Sequence, residues 1–120
     1  MPKETEPESP MSPHAGVKVW FDSENAWVHW PAEEPEFVSW DSLLGVAIET
    51  TDEGPFVVDV YWHLASKDKV ITYPAEATGA QEILQRLQKI PTFNNERLIR
   101  AMSCTDNETF ILWDHAGRHE

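Results

Sequence analysis

The chain has 120 residues, 41% of them hydrophobic and six of them tryptophan, with a formal net charge of −12. That length is one domain's worth, and its apolar content is enough for a packed core, which excludes a wholly disordered chain. The single cysteine, Cys104, excludes an internal disulfide framework and a cysteine metal cluster, and the acidity disfavours nucleic acid and anionic membrane as partners.

Met1 to Gly16 carries four prolines and no periodic apolar pattern, so residues 1–16 are expected to form a mobile tail. It lacks the apolar run of a signal peptide, and no later segment approaches a membrane span. With one cysteine, this points to the cytoplasm. Val17 to Phe21 and Ala26 to Trp30 are short β-prone runs around the turn-like Asp22-Ser23-Glu24-Asn25, which predicts a hairpin. Pro31 to Glu36 is a loop, because two prolines do not fit a central strand. Phe37 to Trp40 resumes strand character. Leu43 to Thr50 continues it, with Leu44, Val46 and Ile48 expected on one face. After a turn at Thr51 to Pro55, Phe56 to Ala65 is the longest strand candidate, and Ser66 to Lys69 turns the chain into Val70 to Tyr73.

The period then changes. Thr78-Gly79-Ala80-Gln81 reads as a capping box at the start of a helix whose apolar stripe is Ile83, Leu84 and Leu87, extended by Ile90. Glu82 in the first turn, with Arg86 and Lys89 in the last, suits the helix dipole. Pro91 ends this helix. Asn94 is placed to cap a second one, running to about Ser103 with Leu98, Ile99 and Met102 on one face. Thr109 to Trp113 is the last strand. The expected fold is α+β: a mostly antiparallel, curled sheet of six to seven strands, with two C-terminal helices packed on one face. Residues 17–114 form the single domain, and 115–120 form a short tail.

Charge is unevenly spread. Between Val19 and Ser66 there are ten acidic residues and no lysine or arginine, whereas Lys67 to Glu120 has eight acids and seven bases. The acidic half is therefore expected to attract a basic partner.

Alternation along the strands sorts the aromatics. Val58, Val60, Trp62 and Leu64 make an apolar core face, and Asp59, Tyr61 and His63 point away from it. Trp27 and His29 likewise share a face opposite Ala26, Val28 and Trp30. Two helices cover only one face of such a sheet. The other face then combines apolar bulk with polar tips, the composition of an interface core. The partner-binding candidates are therefore Trp27, His29, Asp59, Tyr61 and His63, with Glu33, Glu34 and Glu36 as an acidic rim. A sheet that closes on itself would bury these side chains instead.

Catalytic signals are sparse. Asp59, Tyr61 and His63 resemble an acid–base set, but alternate residues on one strand lie roughly 7 Å apart. There is no nucleophile-elbow or phosphate-loop motif. Cys104 follows the second helix at the end that does not lower a thiol pKa, which favours a packing role. His115 and His119 have helical metal-ligand spacing but sit in a polar tail without a helix signal, so no metal and no cofactor is expected.

The most distinctive wording is ATGAQEILQRLQKIPTFNNERLIRAMSC, followed by ETFILW. It resembles a group of small bacterial proteins with a Pro-x-Phe-Asn-Asn-Glu helix start and a closing Phe-x-x-Trp strand. The resemblance implies a bacterial cytoplasmic protein and supplies no catalytic residue. The strands-then-helix order is also similar to a pleckstrin-homology layout, from which the second helix and final strand depart. The leading expectation is a non-enzymatic acidic binding protein, with an immunity-type inhibitor of a basic protein such as a nuclease toxin as its sharpest form. The alternatives are a small hydrolase or isomerase using His63 and Asp59, and a structural homodimer.

Overall fold

A computed structural model describes residues 16–51, 59–104 and 106–115, with the side chain of Asp59 also outside the described part. The expected tail up to residue 15, most of the turn after Thr51, and the last five residues including His119 lie outside the described residues. The chain is α+β with antiparallel sheets. Among the described residues, seven strands run in the order β1 (Lys18–Phe21), β2 (Asn25–His29), β3 (Glu36–Ser39), β4 (Leu43–Thr51), β5 (Asp59–Ser66), β6 (Val70–Pro74) and β7 (Glu108–Asp114). Helices α1 (Ala80–Leu87) and α2 (Asn95–Met102) lie between β6 and β7.

The strands do not make the single curled sheet expected. They form a three-stranded sheet β1-β2-β3 and a four-stranded sheet β6-β5-β4-β7. The break is a 3-10 turn at Trp40–Ser42, where the Ser39 hydroxyl accepts from the Asp41 amide at 3.1 Å. Trp40 ties this turn back to the first hairpin. Its backbone N–H donates to the Glu24 carbonyl at 2.9 Å and its indole to the Asp22 carbonyl at 2.8 Å. The chain therefore leaves β3 before it enters β4.

The inward faces of both sheets meet the helices in one core. Val19, Ala26, Val28 and Val38 contribute from the first sheet, and Val46, Ile48, Trp62, Leu64, Ile71, Phe110 and Leu112 from the second. Ile83 and Leu87 of α1 are fully buried, with Leu84 and Ile90 packed beside them, as their helical spacing predicts. Trp62 stacks on Tyr73, with ring centroids 6.4 Å apart. The Tyr73 hydroxyl is buried with no hydrogen-bond partner among the described residues, and burial pushes its pKa up.

Three local expectations are corrected. The register shifts between Leu43 and Gly45, so Leu43 is buried with Val46 and Ile48, while Leu44 is turned outward. Thr78 does not cap α1. Gly79 is the cap residue at φ 94°, and the Thr78 backbone bridges to β1 through Val19 N–H to Thr78 O (2.8 Å) and Thr78 N–H to Val17 O (3.0 Å). In α2, Leu98 and Ala101 face the core, whereas Ile99 and Met102 are exposed. Asn94 caps α2 as its sequence predicts, accepting from the Arg97 amide at 2.9 Å.

Two further contacts fix the borders of the larger sheet. The Trp30 indole donates to the Thr72 carbonyl in β6 at 2.9 Å, and the Asn94 N–H donates to the Leu112 carbonyl in β7 at 2.8 Å. Inside, the buried Thr50 hydroxyl donates to the Asp106 carbonyl, joining β4 to the segment after α2. Cys104 is half-buried beside it, with the Asp106 amide donating to its sulfur at 3.4 Å. No helix among the described residues is long and apolar enough to cross a membrane.

Candidate functional site

The predicted site residues fall on two different sheets. Trp27 and His29 point outward from the three-stranded sheet, and Tyr61 and His63 outward from the four-stranded one. They do not form one constellation, because the 3-10 turn separates the sheets that carry them.

On the smaller sheet, the register sets Trp20 opposite Trp27 and Trp27 opposite Phe37. The result is a row of three aromatic rings across all three strands. Trp20 and Trp27 stack at 5.9 Å with a 4° interplanar angle, and Trp27 meets Phe37 at 4.7 Å and 36°. Trp20 remains 41% exposed and Phe37 40%. Carboxylates flank the row on both sides, at the two ends of the strands. The β1–β2 turn holds Asp22 and Glu24, and the β2–β3 connection holds Glu33 and Glu34 and leads into Glu36, all five exposed.

Asp22 is built into its turn. Its carboxylate accepts from the amides of Glu24 and Asn25, each at 2.8 Å, and from the Trp27 indole at 3.3 Å. These bonds, led by the two amides, hold its carboxyl below the usual range. The same acid thus closes the hairpin and orients the central ring of the row.

The stretch without bases is not without bases in space. Lys69, from the β5–β6 turn, lies 4.8 Å from the Phe37 ring centroid, and Arg86 of α1 lies 4.1 Å from that of Trp40. Both cations sit on aromatic faces, a contact worth about 0.5–1 kcal/mol at exposed sites. The aromatic surface therefore already binds cations, supplied by the second half of the chain.

On the four-stranded sheet, His63 is the centre of a chain of hydrogen bonds across three strands. Its Nδ1 is 2.9 Å from the Thr72 hydroxyl and its Nε2 is 2.8 Å from Glu49 Oε1. With Glu49 ionised, Nε2 carries the proton and donates to the carboxylate, so in neutral His63 Nδ1 accepts from Thr72. Beside this chain lies an apolar trough of about 360 Å³ lined by Gly45, Ala47, Ala65, Val70, Ile111 and Trp113, with His63 on its wall. His115 stacks on Trp113 at 6.2 Å. Tyr61 is half-buried on the same outward face.

Sequence reasoning named Trp27 and His63 as candidates but not the side chains they meet. Phe37 was visible only as a strand residue, since β3 is four residues long and too short to show alternation. Glu49 and Thr72 lie on strands neighbouring β5, and only the register brings them to His63. No protein-family profile, curated protein or solved structure matches this chain.

Proposed function

We propose that this chain is a non-enzymatic binding protein that receives a basic protein partner on the outward face of its three-stranded sheet. The observation that carries this reading is the Trp20–Trp27–Phe37 row, exposed at Trp20 and Phe37, with carboxylates along both sides. Such a face supplies rigid apolar area at low side-chain entropy cost, while the acidic borders steer a cationic partner into place. The net charge of −12 disfavours a second copy as the occupant, since like-charged surfaces would meet. The sharpest form of the proposal is an inhibitor that covers the basic active site of an enzyme such as a nuclease.

For the hydrolase reading, with the Asp59 side chain outside the described residues, the described partners of His63 are Thr72 and Glu49. Thr72 and His63 are within nucleophile-to-base distance, and Glu49 orients the ring. An acyl transfer also needs donors aimed at a developing oxyanion. Backbone N–H groups of a sheet lie in its plane and are engaged along the ladder, so the face of β4, β5 and β6 directs none of them into the trough. This argues for a polar cross-strand ladder rather than a reacting centre.

The test compares capture by the wild type with capture by two double variants, Trp27→Ser with Phe37→Ser and Val70→Ser with Ile111→Ser. A basic protein held at low salt, released at high salt and lost only with the first pair supports the proposal. A partner lost only with the second pair, or one that is acidic, refutes it.

A further inference from the structure

At one border of the aromatic face, β1 and the first turn of α1 enclose a groove of about 310 Å³ lined by Val19, Trp20, Phe21, Thr78, Gly79 and Glu82. Its shape follows from backbone pairing. The Thr78 bridge holds the chain against β1, and Gly79, having no Cβ, lets α1 start directly beside the Val19 carbonyl. The walls are then two half-exposed aromatic side chains, Trp20 and Phe21, and the carboxylate is Glu82.

We propose that this groove is the seat for one arginine or lysine side chain of the basic partner, with the alkyl stem along Trp20 and Phe21 and the cationic head at Glu82. The inference rests on the binding role proposed above and locates its anchor. Three observations carry it. The groove combines apolar walls with one acid, which matches a side chain that has an apolar stem and a positive tip. Elsewhere on this half of the molecule Arg86 lies on Trp40 and Lys69 on Phe37, so exposed rings here accept cations in the folded protein. Arg86 is four residues from Glu82, yet among the described residues it lies over Trp40 and forms no ion pair with that acid.

Two effects oppose the assignment: Lys18, whose backbone is bridged to the groove residue Thr78, brings a positive charge to this border, and so does a helix end. The start of α1 brings the positive end of a helix dipole to the groove, and Gly79 adds no side-chain cap. That end is equivalent to about half a positive charge, whereas Glu82 carries a full negative one. Asp22 and Glu24 of the neighbouring hairpin add to the same sign as Glu82 and offset Lys18, so carboxylates still outnumber the cations at this border.

The experiment titrates the full chain with acetyl-hexaarginine amide at low ionic strength and follows the Trp20 indole and Gly79 amide by NMR, with acetyl-hexaglutamate amide as the control. The expected result is saturable shifts at both positions with hexaarginine alone. Glu82→Gln should weaken binding by more than about two-fold and up to about five-fold, the upper end for one exposed ion pair. Trp20→Leu should do the same. Glu82 is exposed, so Glu82→Gln keeps the fold, and unchanged spectra elsewhere verify it. Affinity of Glu82→Gln within two-fold of wild type, or shifts centred on Trp113 and Val70, overturns the groove assignment. If Glu82→Gln has no effect while combined Glu33→Gln, Glu34→Gln and Glu36→Gln weakens binding, the groove is wrong and the aromatic-face reading survives. If hexaarginine shifts no residue of the three-stranded sheet, both fall.

Discussion

Replacing Gly79 with alanine tests whether the contact between β1 and the start of α1 is as tight as described. Gly79 has φ 94°, and an added Cβ would lie 2.1 Å from the Val19 carbonyl oxygen. No flexible side chain stands in the way; the obstacle is backbone, so the two segments must separate. A non-glycine residue in this region costs about 1–3 kcal/mol in strain. Separation also threatens the two hydrogen bonds of the bridge, Val19 to Thr78 and Thr78 to Val17, at about 0.5–1.5 kcal/mol each. Gly79→Ala should therefore lose about 2–6 kcal/mol, a large share of the 5–15 kcal/mol typical of a domain. Urea unfolding followed by tryptophan fluorescence reads this directly. Gly45→Ala is the control, because its Cβ meets the Trp113 carbonyl at an ordinary 3.6 Å and φ is not in the left-handed region. A loss below about 1 kcal/mol for Gly79→Ala, or equal losses for the two variants, would refute the argument from close approach.

Trp62→Ala removes a ring that is 3% exposed and stacked on Tyr73, and should cost about 3–5 kcal/mol in chemical denaturation. Tyr73→Phe should leave stability unchanged or raise it by up to about 1 kcal/mol, because the hydroxyl lost is buried without a partner among the described residues; a loss above that would reveal a bond it makes. The Asp22 carboxyl is held low by the Glu24 and Asn25 amides. Its contribution to the hairpin is therefore present above the ordinary carboxylate pKa and lost as pH falls through the lowered folded value. Amide shifts of Glu24 and Asn25 should accordingly titrate with a midpoint below about 3.9. A midpoint at or above that value would contradict the hydrogen-bonded turn.

The succession of strands and helices along the chain, the α1 stripe and the Asn94 cap were legible because each is a local pattern with a strong period or a single capping side chain, whereas the division into two sheets was not. The errors arose where one residue changed the phase. A register shift at Leu43 and Gly45 exchanges Leu43 for Leu44 at the core, and alternation alone cannot detect such a slip. In α2 the larger side chains Ile99 and Met102 turned the inferred face around Leu98 away from Ala101, since a small alanine packs well but adds little to an apolar pattern. Thr78 satisfied a capping motif whose geometry was pre-empted by backbone pairing with β1. At the site, composition revealed acids and tryptophans together, but the cations that meet those rings come from Lys69 and Arg86, more than thirty residues beyond Phe37 and Trp40. Such pairing is set by tertiary structure and leaves no local signal.

The Trp30 and Asn94 contacts have a consequence for how the protein avoids polymerising. Ser66 N–H to Lys69 O and Ala75 N–H to Val60 O set the phase of the β5–β6 ladder, so the backbone groups of Thr72 and Pro74 face away from β5. Of these, the Thr72 carbonyl is occupied by the Trp30 indole, and Pro74 has no N–H to offer. On the far border, the Leu112 carbonyl is occupied by Asn94 and the Ile111 carbonyl by the Arg97 guanidinium. An incoming strand would find a poor template on either border, and the molecule resists growth into intermolecular β-ribbons. A tryptophan and a proline thus act as gatekeepers of the larger sheet, and the recognition proposed here falls to side-chain surfaces rather than to strand addition along it.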